Sequence, residues 1–236
     1  MTEHTSTSAP FKRVLAVAGV GLAGAVALSG CSLLESSDDG DSGSTEVSDE
    51  QVDAAADAQS GDCLAPGFLD GTSDEFTIDC SDPTAQWTIT AIEADPGVTA
   101  SGGDIADPQP IFDLCGEEVG ALLPGKPLTD WNMIYDQATG AVDYLFCIEA
   151  TDQPDGEGAL LAVPTTGECF SSADAEWKTL PCDSAAADST VANAVEFPSS
   201  EWAAPDVEGA TAECGGTAYY ELLDQFDRTT GLLCVE

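Results

Sequence analysis

Residues 135–149 read YDQATGAVDYLFCIE, and residues 226–236 read FDRTTGLLCVE. Both carry Asp-x-x-Thr-Gly, at 136–140 and at 227–231, ahead of an apolar run that holds a cysteine. Asp opens a turn by bonding the backbone two residues on, and Gly supplies the positive φ that closes it, so each motif predicts a hairpin. Cys147 lies seven residues beyond Gly140 and Cys234 three beyond Gly231. Both separations are odd, which keeps the two cysteines on one face of a period-two strand and confines the length difference to the hairpin.

Outward from this pair the chain continues to match itself. GDC at 61–63 answers GEC at 167–169, and FTIDC at 76–80 answers KTLPC at 178–182. AIEA at 91–94 answers AVEF at 194–197, and LCGEEVGALL at 114–123 answers ECGGTAYYELL at 213–223. One copy holds Cys63, Cys80, Cys115 and Cys147; the other holds Cys169, Cys182, Cys214 and Cys234. Five blocks in one order imply a duplication. The expected architecture is α+β: two tandem small disulfide-stapled domains, each an antiparallel sheet with one short helix, with all-β as the alternative. FTIDC, QWTITAIEA, LTDWNMIYD and VDYLFCIEA alternate as strands. CGEEVGALL and CGGTAYYELLDQF read as short helices beginning near the third cysteine of each copy.

Domains of this size have marginal cores, and a disulfide closing a loop of about 15 residues adds about 3 kcal/mol in the chain-entropy account. Eight cysteines pair in 105 ways, and pairing within each copy leaves nine. First-with-fourth and second-with-third is the favoured arrangement within a copy.

The ninth cysteine, Cys31, belongs to another feature. Lys12 and Arg13 precede an apolar run from Val14 to Leu28, rich in Ala, Gly and Val. That run is short for a permanent bilayer span, which takes about 20 residues, and has the flanks of a secretory signal peptide. Leu28-Ser29-Gly30-Cys31 resembles the bacterial lipobox. The resemblance implies a signal peptide over 1–30, cleavage before Cys31, and lipidation of the Cys31 sulfur and amine, palmitate among the acyl chains. Two or three such chains hold a protein stably at a membrane where one is marginal. Cleavage would leave Lys126, Lys178 and Arg228 as the basic side chains and remove the single histidine, His4.

Residues 31–60 are rich in Ser, Asp and Glu and read as a disordered acidic tether of about 30 Å reach. SDEQVDAAADA within it has the pattern of a short helix. The first four-cysteine domain is expected over 61–150, a linker over 151–158 and the second domain over 159–236. GDCL, FTIDC, DLC and YLFCIEA in the first, and GECF, KTLPC, AEC and LLCVE in the second, resemble the LppU-type domain of actinobacterial lipoproteins. The resemblance implies a cell-envelope location and a fold. It implies no reaction.

The net charge of −39, from 5 Lys and Arg against 44 Asp and Glu, argues against nucleic acid and anionic lipid headgroups as partners. Without histidine in the mature chain, Ser-His-Asp and Cys-His catalysis and His-containing metal sites drop out. No nucleotide fingerprint or Cys-x-x-Cys is present. The expectation is therefore a non-enzyme with no catalytic, cofactor or metal residues, monomeric, lipid-anchored on the extracytoplasmic face. Its role would be either a binding module, with a basic or envelope protein as partner, or a structural envelope protein. A carboxylate-dependent hydrolase is the remaining alternative. Asp152, Asp155 and Glu157 are the calcium candidates, read preferentially as linker. Trp87, Trp131, Trp177 and Trp202 are either a sugar-stacking platform or, preferentially, core.

Overall fold

The computed structural model describes residues 13–17, 44–47, 49–66, 75–173, 177–214 and 218–235. Cys31 and most of the leader lie outside them. The fold is two antiparallel sheets with a few short helices and four disulfides. The first sheet contains β1 (Arg13–Val17), β2 (Ser44–Val47), β3 (Cys63–Leu64), β4 (Thr77–Ile78), β5 (Trp87–Ala94), β6 (Thr129–Asp136) and β7 (Val142–Ala150). Its strand order is β2-β1-β6-β7-β5-β3-β4. The second contains β8 (Cys169–Phe170), β9 (Ser189–Glu196), β10 (Ala218–Leu223) and β11 (Thr229–Val235), in the order β10-β11-β9-β8. Helix α1 spans Asp49–Asp57, α2 Gln109–Cys115 and α3 Val207–Thr211.

The matched blocks fold alike. Gly61 N–H donates to Ile89 O and Gly167 N–H to Val191 O, each at 2.8 Å. Cys63 lies opposite Ile78 and Thr88; Cys169 lies opposite Leu180 and Thr190. Trp131 of β6 faces Cys147 of β7 as Tyr219 of β10 faces Cys234 of β11. The disulfides are Cys63–Cys80, Cys115–Cys147, Cys169–Cys182 and Cys214–Cys234. Each bridge stays within one copy, but the pairing is first-with-second and third-with-fourth, which overturns the favoured arrangement. In the first copy the cause is local: β3 and β4 are paired strands, which brings Cys80 beside Cys63, while α2 delivers Cys115 onto β7.

Three further expectations are corrected. The helices end at the third cysteine instead of beginning there. α2 stops at Gly116, whose φ of 85° lets its N–H turn back to Phe112 O at 2.9 Å. α3 is capped by Asp206, which accepts from Gly209 N–H, and leads through a 3₁₀ turn, Ala212–Cys214, to the cysteine. AYYELL is strand β10, because aromatic and alternating residues satisfy a sheet edge better than a helix turn.

The second hairpin also sits three residues earlier than the motif suggests. Asp224 N–H donates to Arg228 O at 3.0 Å, and Asp224 Oδ1 accepts from Phe226 and Arg228 N–H groups. Asp224 thus does what Asp136 does in the first hairpin, where Oδ1 accepts from Ala138 and Thr139. Thr230 and Gly231 are in β11. A Cβ at Gly231 would meet Val195 O at 2.5 Å, so this glycine permits close approach of β9.

The end of the expected tether is folded as well. Val52 and Ala55 of α1 are buried with Leu64, Phe76, Ile89, Ile134, Phe146 and Ile148 on one face of the first sheet. The opposite face packs Trp131, Met133, Tyr135 and Leu145 beneath Ile105, Ile111 and Val119. In the second sheet, Phe170, Val191, Leu222 and Leu233 form one core, and Phe197, Trp202 and Leu232 another.

Candidate functional site

The two sheets meet at a seam built from segment 117–130 and the β10–β11 turn. Exchange across it is reciprocal. Leu122 packs in one core of the second sheet, Ala121 and Leu123 in the other, while Phe226 packs against the first sheet's core. Arg228 is its centre. Its guanidinium pairs with the Asp224 carboxylate at 2.7 Å and donates to Glu117 O at 2.7 Å and Val119 O at 3.0 Å. The rings of Phe112, Trp202 and Phe226 surround it at 4.9–5.0 Å. One of three basic side chains carboxyl-terminal to Cys31 is therefore consumed in structure. An Arg suits this place because its planar fork bonds several acceptors while its faces stack on rings.

Beside it, Thr230 Oγ1 donates to Leu122 O at 2.6 Å, and Gln225 Nε2 donates to Asp130 Oδ1 at 3.0 Å. Burial pushes the Asp130 carboxyl up to about 7, against the pull of the hydrogen bonds from Trp131 N–H and Gln225. Asp130 is an acid poised near neutral pH, but the groups bonded to it are amides that fix the seam.

Segment 160–163 stitches both sides. Leu128 N–H donates to Leu161 O and Gly125 N–H to Val163 O, while Leu160 and Thr179 exchange bonds. A cleft of about 190 Å³ opens here, lined by Pro127, Thr151, Asp152, Leu160, Glu168 and Thr179. It is smaller than the roughly 300–1,000 Å³ usual for small-molecule sites.

The expected linker ties back to the first sheet through Thr151 and Gln153, the latter donating to Cys80 O at 2.8 Å. Within it, Asp155 Oδ1 accepts from Glu157 and Ala159 N–H groups, so this calcium candidate closes a turn. Among the described residues no group of three or more His, Cys, Asp or Glu is gathered as for a metal. The tryptophans do not converge on one platform: Trp131 and Trp202 are buried in different cores, and Trp87 packs against a third. Trp177 is half-buried at a φ of 52° and joins Phe170 and Tyr220 in a three-ring cluster, centroids 5.5–5.8 Å apart. A non-glycine residue at positive φ is uncommon and is held here by that packing.

The surface that sequence reading missed is β10, which was expected to be helical. Tyr219, Glu221 and Leu223 share its outward face, and Tyr219 and Leu223, at 40% and 49% exposed, are the large exposed hydrophobic side chains among the described residues. Tyr220 and Leu222 point the other way, into the ring cluster and core. Among the described residues β10 has β11 on one side and no strand on the other. The signal was the alternation within AYYELL. Compared with protein-family models, curated proteins and solved structures, the chain finds no match.

Proposed function

We propose that this protein is a lipid-anchored extracytoplasmic lipoprotein, held at the membrane by acylated Cys31, and that it presents two tandem domains of LppU type as a non-catalytic interaction module of the cell envelope. The basic-apolar leader and lipobox support the anchor. Four disulfides favour an oxidising compartment. The observation that carries the interaction reading is the outward face of β10, where a tyrosine and a leucine are exposed on either side of Glu221 on a chain of net charge −39. Isolated exposed apolar residues are ordinary, but a pair on an unpaired edge strand is an aggregation hazard that a monomer has reason to avoid unless something uses it.

Two experiments test this. Mass spectrometry of the membrane-bound protein should find an acylated Cys31 at the mature amino terminus; a mature terminus elsewhere, with Cys31 unmodified, contradicts the anchor. Crosslinking in intact cells should give a discrete adduct that disappears in Tyr219→Ser/Leu223→Ser. An adduct indifferent to that change, or specific turnover of an envelope substrate lost with one carboxylate, contradicts the module.

A further inference from the structure

We propose that the outer edge of β10 is a strand-addition site for an extended antiparallel segment of another protein, apolar opposite Tyr219 and Leu223 and basic opposite Glu221. This deepens the reading of the chain as an interaction module and rests on it.

The molecule itself shows what such an edge takes. β6 holds in the first sheet the place that β10 holds in the second, and in the uncleaved chain its outer edge takes β1, the segment Arg13–Val17 of the leader. β1 runs antiparallel, with Arg13 opposite Asp136, Leu15 opposite Ile134 and Val17 opposite Asn132. Because Asp136 and Asp224 hold equivalent turns, the edge that β1 takes on β6 corresponds on the second sheet to the outer edge of β10, and the proposed segment lies along it from Tyr219 to Leu223. There, among the described residues, no strand pairs with the outer edge. Strand addition draws its affinity from main-chain hydrogen bonds and its specificity from alternate side chains.

Charge chooses the occupant. A second copy of this chain brings the same charge of −39, and an antiparallel pairing that sets Tyr219 against Leu223 sets Glu221 against itself. Like charges directly opposite on a sheet are unfavourable, and opposite charges gain. A basic side chain between two apolar ones is the complement.

The test uses the full chain and a synthetic peptide of sequence Val-Thr-Lys-Thr-Ile within neutral flanks, titrated by calorimetry. Two versions are N-methylated at alternate residues, each blocking one edge of the strand. Methylation of the edge that faces β10 should weaken binding about tenfold, the loss of main-chain hydrogen bonds, while methylation of the other edge leaves it within about twofold. Glu221→Lys, an exposed position that leaves the fold intact by circular dichroism, should reverse the preference for Lys over Glu in the peptide by about threefold each way. No binding of the unmethylated peptide, or equal loss with both methylated versions, overturns the proposal. Self-association in sedimentation that Leu223→Lys abolishes also overturns it and gives the edge to a second copy. If the peptide fails while the cellular adduct still depends on Tyr219, strand addition is wrong and the interaction module stands.

Discussion

β6 and β10 occupy one position in two related sheets, yet one is sealed and the other bare. On β6, Trp131, Met133 and Tyr135 are at most 4% exposed, beneath α2 and the residues around Ile105. On β10 the equivalent residues are Tyr219, Glu221 and Leu223, all exposed. The helix accounts for part of the difference. α2 has seven residues and sends Ile111 and Phe112 over its sheet; α3 has five, and its apolar contacts go to the cluster around Trp202. The rest comes from the seam, where Ala121 and Leu123 fill the second sheet's core from the side. A sheet supported from its side by the seam needs less cover of its own, and the face so released is the candidate interaction surface.

The contrast is most easily broken at the buried end. Trp131→Ala should cost about 3–5 kcal/mol in chemical denaturation, as removal of a buried large aromatic does. Arg228→Ala should cost about as much, because it leaves the Asp224 carboxylate, 0% exposed in its side chain, without its charge partner. It should also make the two sheets unfold in separable steps. Replacing Cys115 and Cys147 by Ala releases the longest loop, a separation of 32 residues, and should cost about 3–4 kcal/mol. For Cys169 and Cys182, separated by 13, the expected cost is about 3 kcal/mol.

Asp130 sharpens the comparison through pH. Its ordinary pKa of 3.8 is raised by burial to about 7, so the folded chain holds this proton more tightly than the unfolded chain. The stability it contributes is fully present below about pH 4 and is lost as pH rises through about 7. Asp130→Asn carries no such proton. The stability of this variant relative to the native chain should climb between about pH 4 and pH 7 and then level off; a flat difference contradicts the burial. The smallest effects belong to the bare strand. Tyr219→Ala and Leu223→Ala should each change stability by no more than about 0.5 kcal/mol, against the large cost at Trp131.

Much of this was legible in the chain. Cysteine order and the Gly-x-Cys and hairpin blocks announce two similar sheets with bridges inside each copy, and the strands of the first copy fall where their alternation puts them. What local pattern could not supply was anything decided between segments. Cysteine order alone does not choose among connectivities, which depend on β4 pairing with β3 and on α2 docking on β7. The second hairpin slid by three residues because Asp224 and Asp227 can both open a turn, and the bonds that Asp224 makes to Phe226 and Arg228, with the close approach of β9 to Gly231, settle between them. Arg228 was one of three basic side chains carboxyl-terminal to Cys31, with no role assigned from the sequence; its place comes from the rings of Phe112 and Trp202 and the carbonyls of Glu117 and Val119, all distant in sequence. Asp130 was one acid among 44 Asp and Glu, and only its desolvated place in the seam, against Gln225, distinguishes it.

Amide hydrogen exchange of the full chain, with and without the lysine-bearing peptide, tests the central contrast most directly. Alone, the β10 amides that point away from β11 should exchange rapidly while those of β7, inside its sheet, are protected. With the peptide, those β10 amides should slow and the rest of the molecule should stay unchanged, whereas the glutamate-bearing counterpart should have no effect. Protection of β10 already in the free chain, or slowing that falls elsewhere or follows either peptide equally, would contradict an open, acid-lined edge.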